Sequence, residues 1–236
     1  MVLLILERQD SELMPTLRLY DQLLQFPLFQ GMSRDDLEII AGHIRFGFVK
    51  VAAGKPIIRI GEACTQLCFL INGTVKIETY GDEHRYMVAE QVAAPYIMQQ
   101  EAIFGYYQSY THHFTALTDV NLLTIAKEEM LHLLEDFLVF RLNLINHFAT
   151  QTQKQIHQTW RRCPLTLRDR VIRFLTQHCV YPAGPKTFYI LMERLAEELN
   201  DSRLNVSRVL NRLQAEGLVE LHRGRVDIPQ LERLLM

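Results

Sequence analysis

The chain has 236 residues, 48% of them hydrophobic and 22% charged, the composition of a soluble globular protein of one large domain or two smaller ones. Its 25 Lys+Arg against 27 Asp+Glu exclude a protein that is basic throughout, yet residues 164–236 carry 11 basic against 9 acidic and the remainder 14 against 18, so positive charge gathers at the carboxy end. Cys64, Cys68, Cys163 and Cys179 form no CxxC or zinc pattern, no run reaches membrane-spanning length, and Val2–Leu6 is too short and lacks the basic leader of a signal peptide, which together predict a cytoplasmic protein with no membrane partner.

Residues 12–44 read as helical. Leu23-Leu24-Gln25-Phe26-Pro27-Leu28-Phe29 is an apolar segment bent by its proline, and Ser33 caps a second helix holding Leu37, Ile39, Ile40 and Ile44. From Arg45 the texture changes to short apolar runs punctuated by Gly54, Gly61, Gly73, Gly81 and Gly105. Strands are expected at Phe46–Val51, Pro56–Ile60, Leu67–Ile71, Thr74–Thr79, around Tyr86–Val92 and from Phe114 to Ile125. Asn72-Gly73 is the strongest hairpin signal among them. Together they predict an all-β barrel or roll over about eighty residues.

Lys127–Arg162 contains neither Pro nor Gly and reads as one long helical stretch, roughly 50 Å at 1.5 Å per residue. Leu138, Leu142, Ile145, Ala149, Thr152, Ile156 and Thr159 alternate at spacings of four and three, the pattern of a two-stranded seam. A single buried helix explains the apolar first half equally well. The second half, polar except for this stripe, favours a dimer seam. Cys163-Pro164 then breaks the helix, Leu167–Cys179 forms another, and Tyr181-Pro182-Ala183-Gly184-Pro185 is a loop.

Met192–Leu213 reads as two helices joined by a tight turn. Leu195 and Leu199 share one face of the first with Ala196 beside them, and Asn200 tolerates the left-handed backbone a sharp turn needs. Asp201 or Ser202 caps the second helix, whose apolar stripe is Val206, Val209, Leu210 and Leu213. This is the pattern of a helix-turn-helix that lays its second helix in the DNA major groove. An ordinary helical hairpin with a solvated Arg face is the alternative on these residues alone. Glu216-Gly217 ends the second helix, and Leu218–Ile228 reads as two short strands about a His222-Arg223-Gly224-Arg225 turn, which makes the unit a winged helix. Pro229–Leu235 closes the chain as a short helix.

Roll, long helix, proline break and winged helix-turn-helix, in this order, resemble the CRP/FNR family of bacterial transcription regulators. The resemblance rests on Phe26-Pro27-Leu28-Phe29, Gly61-Glu62, Asn72-Gly73, Asp201–Arg208, and the wing from Glu216-Gly217-Leu218-Val219 to Arg223-Gly224-Arg225-Val226. It implies an α+β fold: an amino-terminal antiparallel β-roll of jelly-roll type, a long dimerisation helix and a carboxy-terminal winged helix-turn-helix. Against the family's Ser-Arg-Glu-Thr-Val-x-Arg, this chain matches at Ser202, Arg203, Val206 and Arg208. By resemblance Ser202 contacts phosphate, while Arg203 and Arg208 reach base edges, as arginine pairs bidentately with guanine. Leu204 stands at the family's glutamate and offers only apolar contact, so the usual half-site is not expected.

Cyclic-nucleotide binders of this family carry Phe-Gly-Glu and then an Arg-Ser or Arg-Thr pair, the Glu for the ribose hydroxyl and the Arg for the phosphate. Here Met98 stands at the glycine, Gln99 at the glutamate and Tyr110 at the arginine. Cyclic AMP is therefore not expected as effector. With no cysteine before Cys64, the family's iron–sulfur cluster is not expected either. Gln99, Tyr110, Thr111 and His112 mark the candidate effector pocket, which leaves open an unknown small ligand, haem on a histidine, or a roll packed with its own side chains.

These readings converge on a homodimeric, sequence-specific regulator that binds double-stranded DNA through Ser202, Arg203, Asn205, Ser207, Arg208, Arg212, Arg223 and Arg225. The resemblance adds RNA polymerase as a partner. Its expected parts are a sensing domain (1–126), a dimerisation helix (127–163) and a DNA-binding domain (164–236). A regulatory module acting through protein contacts and a haem-based gas sensor are the rival readings. An enzyme is not expected, since there is no GxSxG, HExxH or phosphate-cradling glycine loop.

Overall fold

A computed structural model of the chain describes residues 14–160, 162 and 164–235. Val2–Leu6 and Cys163 lie outside them. Helix α1 (Met14–Leu23) leads through a 3-10 turn at Pro27–Phe29 into α2 (Arg34–His43). Ser33 caps α2 by accepting from Asp36 N at 3.0 Å, with Asp35 and Asp36 at the positive end of the helix dipole.

Eight strands follow: β1 (Phe46–Val51), β2 (Pro56–Ile58), β3 (Gln66–Asn72), β4 (Thr74–Tyr80), β5 (Met87–Ala93), β6 (Tyr96–Met98), β7 (His113–Ala116) and β8 (Val120–Ala126). Then come α3 (Lys127–Asp136), α4 (Leu138–Thr159), α5 (Leu167–Gln177), β9 (Lys186–Tyr189), α6 (Met192–Glu198), α7 (Arg203–Ala215), β10 (Glu220–His222) and β11 (Arg225–Ile228). Leu231–Leu235 is a closing 3-10 turn.

The strands form two antiparallel sheets, one ordered β1-β8-β3-β6 and the other β10-β11-β9-β5-β4-β7-β2. The roll's core lies on their inner faces, with Leu67, Phe69, Val75, Ile77, Phe114, Leu123 and Ile125 all inaccessible to solvent. The Phe26–Phe29 segment seals one side. The rings of Phe26 and Phe69 meet edge-on with centroids 5.0 Å apart, and Phe29 lies 5.1 Å from Phe140 of α4. The proline bend thus lets two phenylalanines three residues apart join the roll to the long helix, and Asn143 Nδ2 reinforces the joint by donating to the carbonyls of Leu28 and Gln30.

Two expectations are corrected. Asn72-Gly73 is not a hairpin: β3 pairs with β6 and β8, and β4 with β5 and β7, so the chain passes here from one sheet to the other. Gly73 has φ 96°, and a Cβ on it would come within 2.7 Å of the Asp119 carbonyl, so the corner needs glycine on both counts. Second, the stretch after Lys127 is two helices. Phe137 leaves the helical region at φ −117°, ψ 100° because the two pack on different surfaces: α3 buries Met130 and Leu133 under β8, while α4 buries Phe140 and Leu144 near the Pro27–Phe29 turn. Two strands have no counterpart in the expectations: Lys186–Tyr189, which sits inside the larger sheet, and Tyr96–Met98, at the edge of the smaller one.

Candidate nucleic-acid interface

The head is built on a second core of Val171, Leu175, Phe188, Leu195, Val206, Leu210, Leu213 and Val226. Ala196, 6% exposed, is the small residue that admits the close crossing of α6 and α7. Asn200 takes up the turn at φ 48°. Ser202 is the cap of α7, its hydroxyl accepting from Asn205 N at 3.2 Å. Asp201 braces the turn from the other side. Its Oδ1 accepts from Ser202 N and Asn205 Nδ2, and its Oδ2 lies 2.6 Å from Arg170 of α5. These bonds, the one from Asn205 foremost, hold the Asp201 carboxyl below the usual carboxylate range. Arg170 also donates to the Leu199 carbonyl at 2.7 Å, so one guanidinium grips both sides of the turn.

With Val206, Leu210 and Leu213 turned inward, α7 presents Arg203, Leu204, Asn205, Arg208, Asn211 and Arg212 to solvent. Ser207 is half-buried. Arg203 is tied to Glu193 of α6 at 3.1 Å, and Asn205 to Asp201. Arg208, Arg212 and the wing-tip Arg223 form no ion pair among the described residues. On the wing, Arg225 Nε lies 2.9 Å from Asp227 Oδ2 without hydrogen-bonding alignment, and His222 contacts the same carboxylate at 3.2 Å. Of the eight predicted contact residues, seven lie on the exposed or half-buried surface of α7 and the wing; among these Arg203 and Arg225 have their charges partly spent on neighbouring carboxylates, and the other five have no ion pair among the described residues. Ser202 completes the set at the helix cap.

The seam stripe on α4 is bare in the single chain: Leu138, Leu142, Ile145 and Ile156 are 58%, 47%, 55% and 55% exposed. Phe140 and Leu144 on the opposite side are buried.

The candidate effector residues are engaged with the protein itself. Gln99, buried and in the left-handed region at φ 40°, opens a 3-10 turn at Gln100–Ile103. Its amide accepts from Thr111 N and donates to Thr111 Oγ1. Tyr110 does not join this pair: its hydroxyl donates to the Gln66 carbonyl at 3.0 Å, next to Cys64 and Cys68. Burial raises the Tyr110 pKa and pushes the Cys68 thiol up to about 11. His112 bonds Thr79 Oγ1, and burial lowers its pKa. Nothing in the sequence pointed to Gln100, which contacts His147 of α4 and so joins the Gln100–Ile103 turn to the long helix. Burial, and then Lys154, lower the His147 pKa. A groove of about 510 Å³ lies elsewhere, between Gln22 of α1, Gln25 just beyond it, and Phe48, Val49 and Leu122 of the smaller sheet.

Residues 48–137 match the cyclic nucleotide-binding domain family and residues 169–236 the Crp-like helix-turn-helix domain family. Among solved structures, the chain is similar to the Thermus thermophilus catabolite activator protein, with 22% identity, 89% of this chain and 97% of that one covered, and a TM-score of 0.50. It is also similar to the sensor domain of the regulator DNR from Pseudomonas aeruginosa, with 20% identity, 64% and 97% covered, and a TM-score of 0.52. A protein from Eubacterium rectale assigned to the crp/fnr family aligns with 22% identity over 89% and 97% of the two chains, at a TM-score of 0.51. No curated protein sequence matches significantly. No described helix is long and apolar enough to cross a membrane.

Proposed function

The chain belongs to the CRP/FNR family of DNA-binding transcription regulators, and on that premise we propose that it acts as a homodimer that does not answer to cyclic AMP. One observation carries the DNA reading: α7 fully buries Val206, Leu210 and Leu213 while its opposite face leaves Arg208 and Arg212 uncommitted beside Asn205 and Arg203. Arg203, Asn205, Ser207 and Arg208 meet bases or the adjacent backbone. Ser202, Arg212, Arg223 and Arg225 hold phosphates. The bare stripe on α4 supports pairing through the 127–163 segment, which sets two heads about 34 Å apart on a near-palindromic site.

Residues 1–126 form the sensing part in this reading and 164–236 the reading part, with RNA polymerase as a further partner. The closed Gln99–Thr111 pair and the absence of an arginine at Tyr110 support an effector other than cyclic AMP. Selection from a random duplex pool at near-physiological salt tests the proposal. It should recover a two-fold symmetric motif with guanine where arginine reads; a pool without enrichment, with or without cell extract, would refute it.

A further inference from the structure

The wing and the roll share one sheet. β9 pairs with β11 on one side, and on the other with β5, from Met87↔Tyr189 to Glu90↔Lys186. Residues opposite one another across antiparallel strands form rows on a face. One row runs Phe114, Ile77, Glu90, Lys186, Ile228, and the next runs Thr79, Val88, Phe188, Val226, Leu221. The first is buried throughout. Glu90 and Lys186 are thus a charge pair set in an apolar line where the roll's core meets the head's.

The pair is fully enclosed, both side chains being 0% exposed. The Glu90 carboxylate accepts from Lys186 Nζ at 2.8 Å, Val180 N at 2.6 Å and Tyr181 N at 3.0 Å. All three donors belong to the segment leading into the helix-turn-helix, and Lys186 Nζ also stands 5.5 Å from the Tyr181 ring centroid. A buried ion pair adds little stability beyond what packed apolar residues would give, but it punishes misalignment, since a slipped or half-open seam strands two charges away from water. A shift of the head by one residue along β5 would separate these partners, so the pair favours this one register.

We propose that Glu90 and Lys186 are positioning residues for DNA reading: they fix each head against its own roll and so set the separation of the two recognition helices in the dimer. The proposal rests on the homodimeric reading above. It also places in the sheet a determinant of head spacing that α4 does not contain.

The experiment uses full-length protein, the selected operator, the same operator with one or two base pairs inserted between half-sites, and an isolated half-site. Each insertion adds about 3.4 Å and about a tenth of a turn. The wild type should lose about 100-fold in affinity on insertion, because only one head then engages. Glu90→Gln and Lys186→Met should bind the isolated half-site as the wild type does, yet lose no more than about tenfold across the spacings. In hydrogen exchange the amides of 186–189 should lose protection in both variants while those of Leu122–Ile125 keep it. A wild-type spacing penalty and unchanged β9 protection in both variants would overturn the latch. A wild type indifferent to spacing would overturn the dimeric reading, and this proposal with it. Should Lys186→Met not fold, Glu90→Gln, which keeps the side chain's shape and an acceptor oxygen, decides the matter alone.

Discussion

Gln99 grips Thr111 at both ends of its amide, accepting from the backbone N–H at 2.9 Å and donating to Oγ1 at 2.8 Å. The backbone N–H and the hydroxyl oxygen of Thr111 and both ends of the Gln99 amide are thereby engaged within the roll, where resemblance to nucleotide binders implies a phosphate and a ribose. A nucleotide entering here would have to break both bonds and would find no guanidinium in return. Cyclic AMP at 1 mM is therefore expected to move the thermal midpoint by less than about 1 °C, whereas a ligand at a hundred times its Kd adds about 2.7 kcal/mol and several degrees. Differential scanning fluorimetry reads the difference, and an upward shift of several degrees would restore the nucleotide reading.

The stripe on α4 makes a prediction about association. Leu142 and Ile145 are half-exposed in the single chain, and each is expected to bury its side chain against a second copy, worth about 1.5–3 kcal/mol when complete. Leu142→Asp or Ile145→Asp should raise the dimer dissociation constant at least about tenfold, seen by sedimentation velocity across a concentration series. Sedimentation of the wild type as a monomer at micromolar concentration would remove the seam.

For DNA, Arg208→Ala should weaken operator binding by about 1–3 kcal/mol and relax preference at one base pair. Arg223→Ala should act differently, lowering affinity for all sequences alike and reducing the slope of log K against log salt by about 1. Titrations at several salt concentrations separate the two. Equal loss on operator and random DNA for Arg208→Ala would move that residue from the bases to the backbone.

Two histidines give the pH dependence its sign. Burial disfavours the charged form of His147 and of His112, so both have folded values below the ordinary histidine value near 6.5. Their contribution to stability is complete above that value and is lost as the pH falls through the lowered folded values. The thermal midpoint should therefore decline from about pH 6.5 downward, before the carboxylates titrate. His147→Gln should flatten part of this decline, and a profile identical to that of the wild type would exclude His147 as its source.

Phe29 is fully buried between Phe69 and Phe140. Phe29→Ala should cost about 3–5 kcal/mol in urea unfolding monitored on the roll. A cost below about 1 kcal/mol would show that α4 is anchored elsewhere.

What could be read before the structure was known was local. Asn200, Ser202 and the stripe from Leu195 to Leu213 lie within nineteen residues, and capping, turn and burial there depend on neighbours a turn apart. The helix-turn-helix was legible for that reason. Asn72-Gly73 marked a real change of direction, but a dipeptide specifies a bend and not which strands will pair on either side of it. The break at Phe137 had no proline or glycine to announce it, because two packing surfaces impose it. β9 is only four residues long, and Glu90 meets Lys186 across 96 positions of chain, a relationship with no local signature. Between Gln99 and His112 the residue types were visible, but not that Gln99 would close on Thr111 and that Tyr110 would turn away to Gln66.

The seven-stranded sheet also bears on how such proteins recombine. Val88 of the roll is part of the head's apolar core, and Glu90 neutralises a lysine that the head supplies. A graft of residues 164–236 onto an unrelated sensor would lack β5, leaving Lys186 with no carboxylate to meet it and Phe188 without Val88 beside it. The exchangeable unit is thus larger than the winged helix, and must include β5. Chimeras cut at the Pro164 junction should succeed only where the recipient strand offers an acid at the position of Glu90, or where both sides of the seam become apolar together.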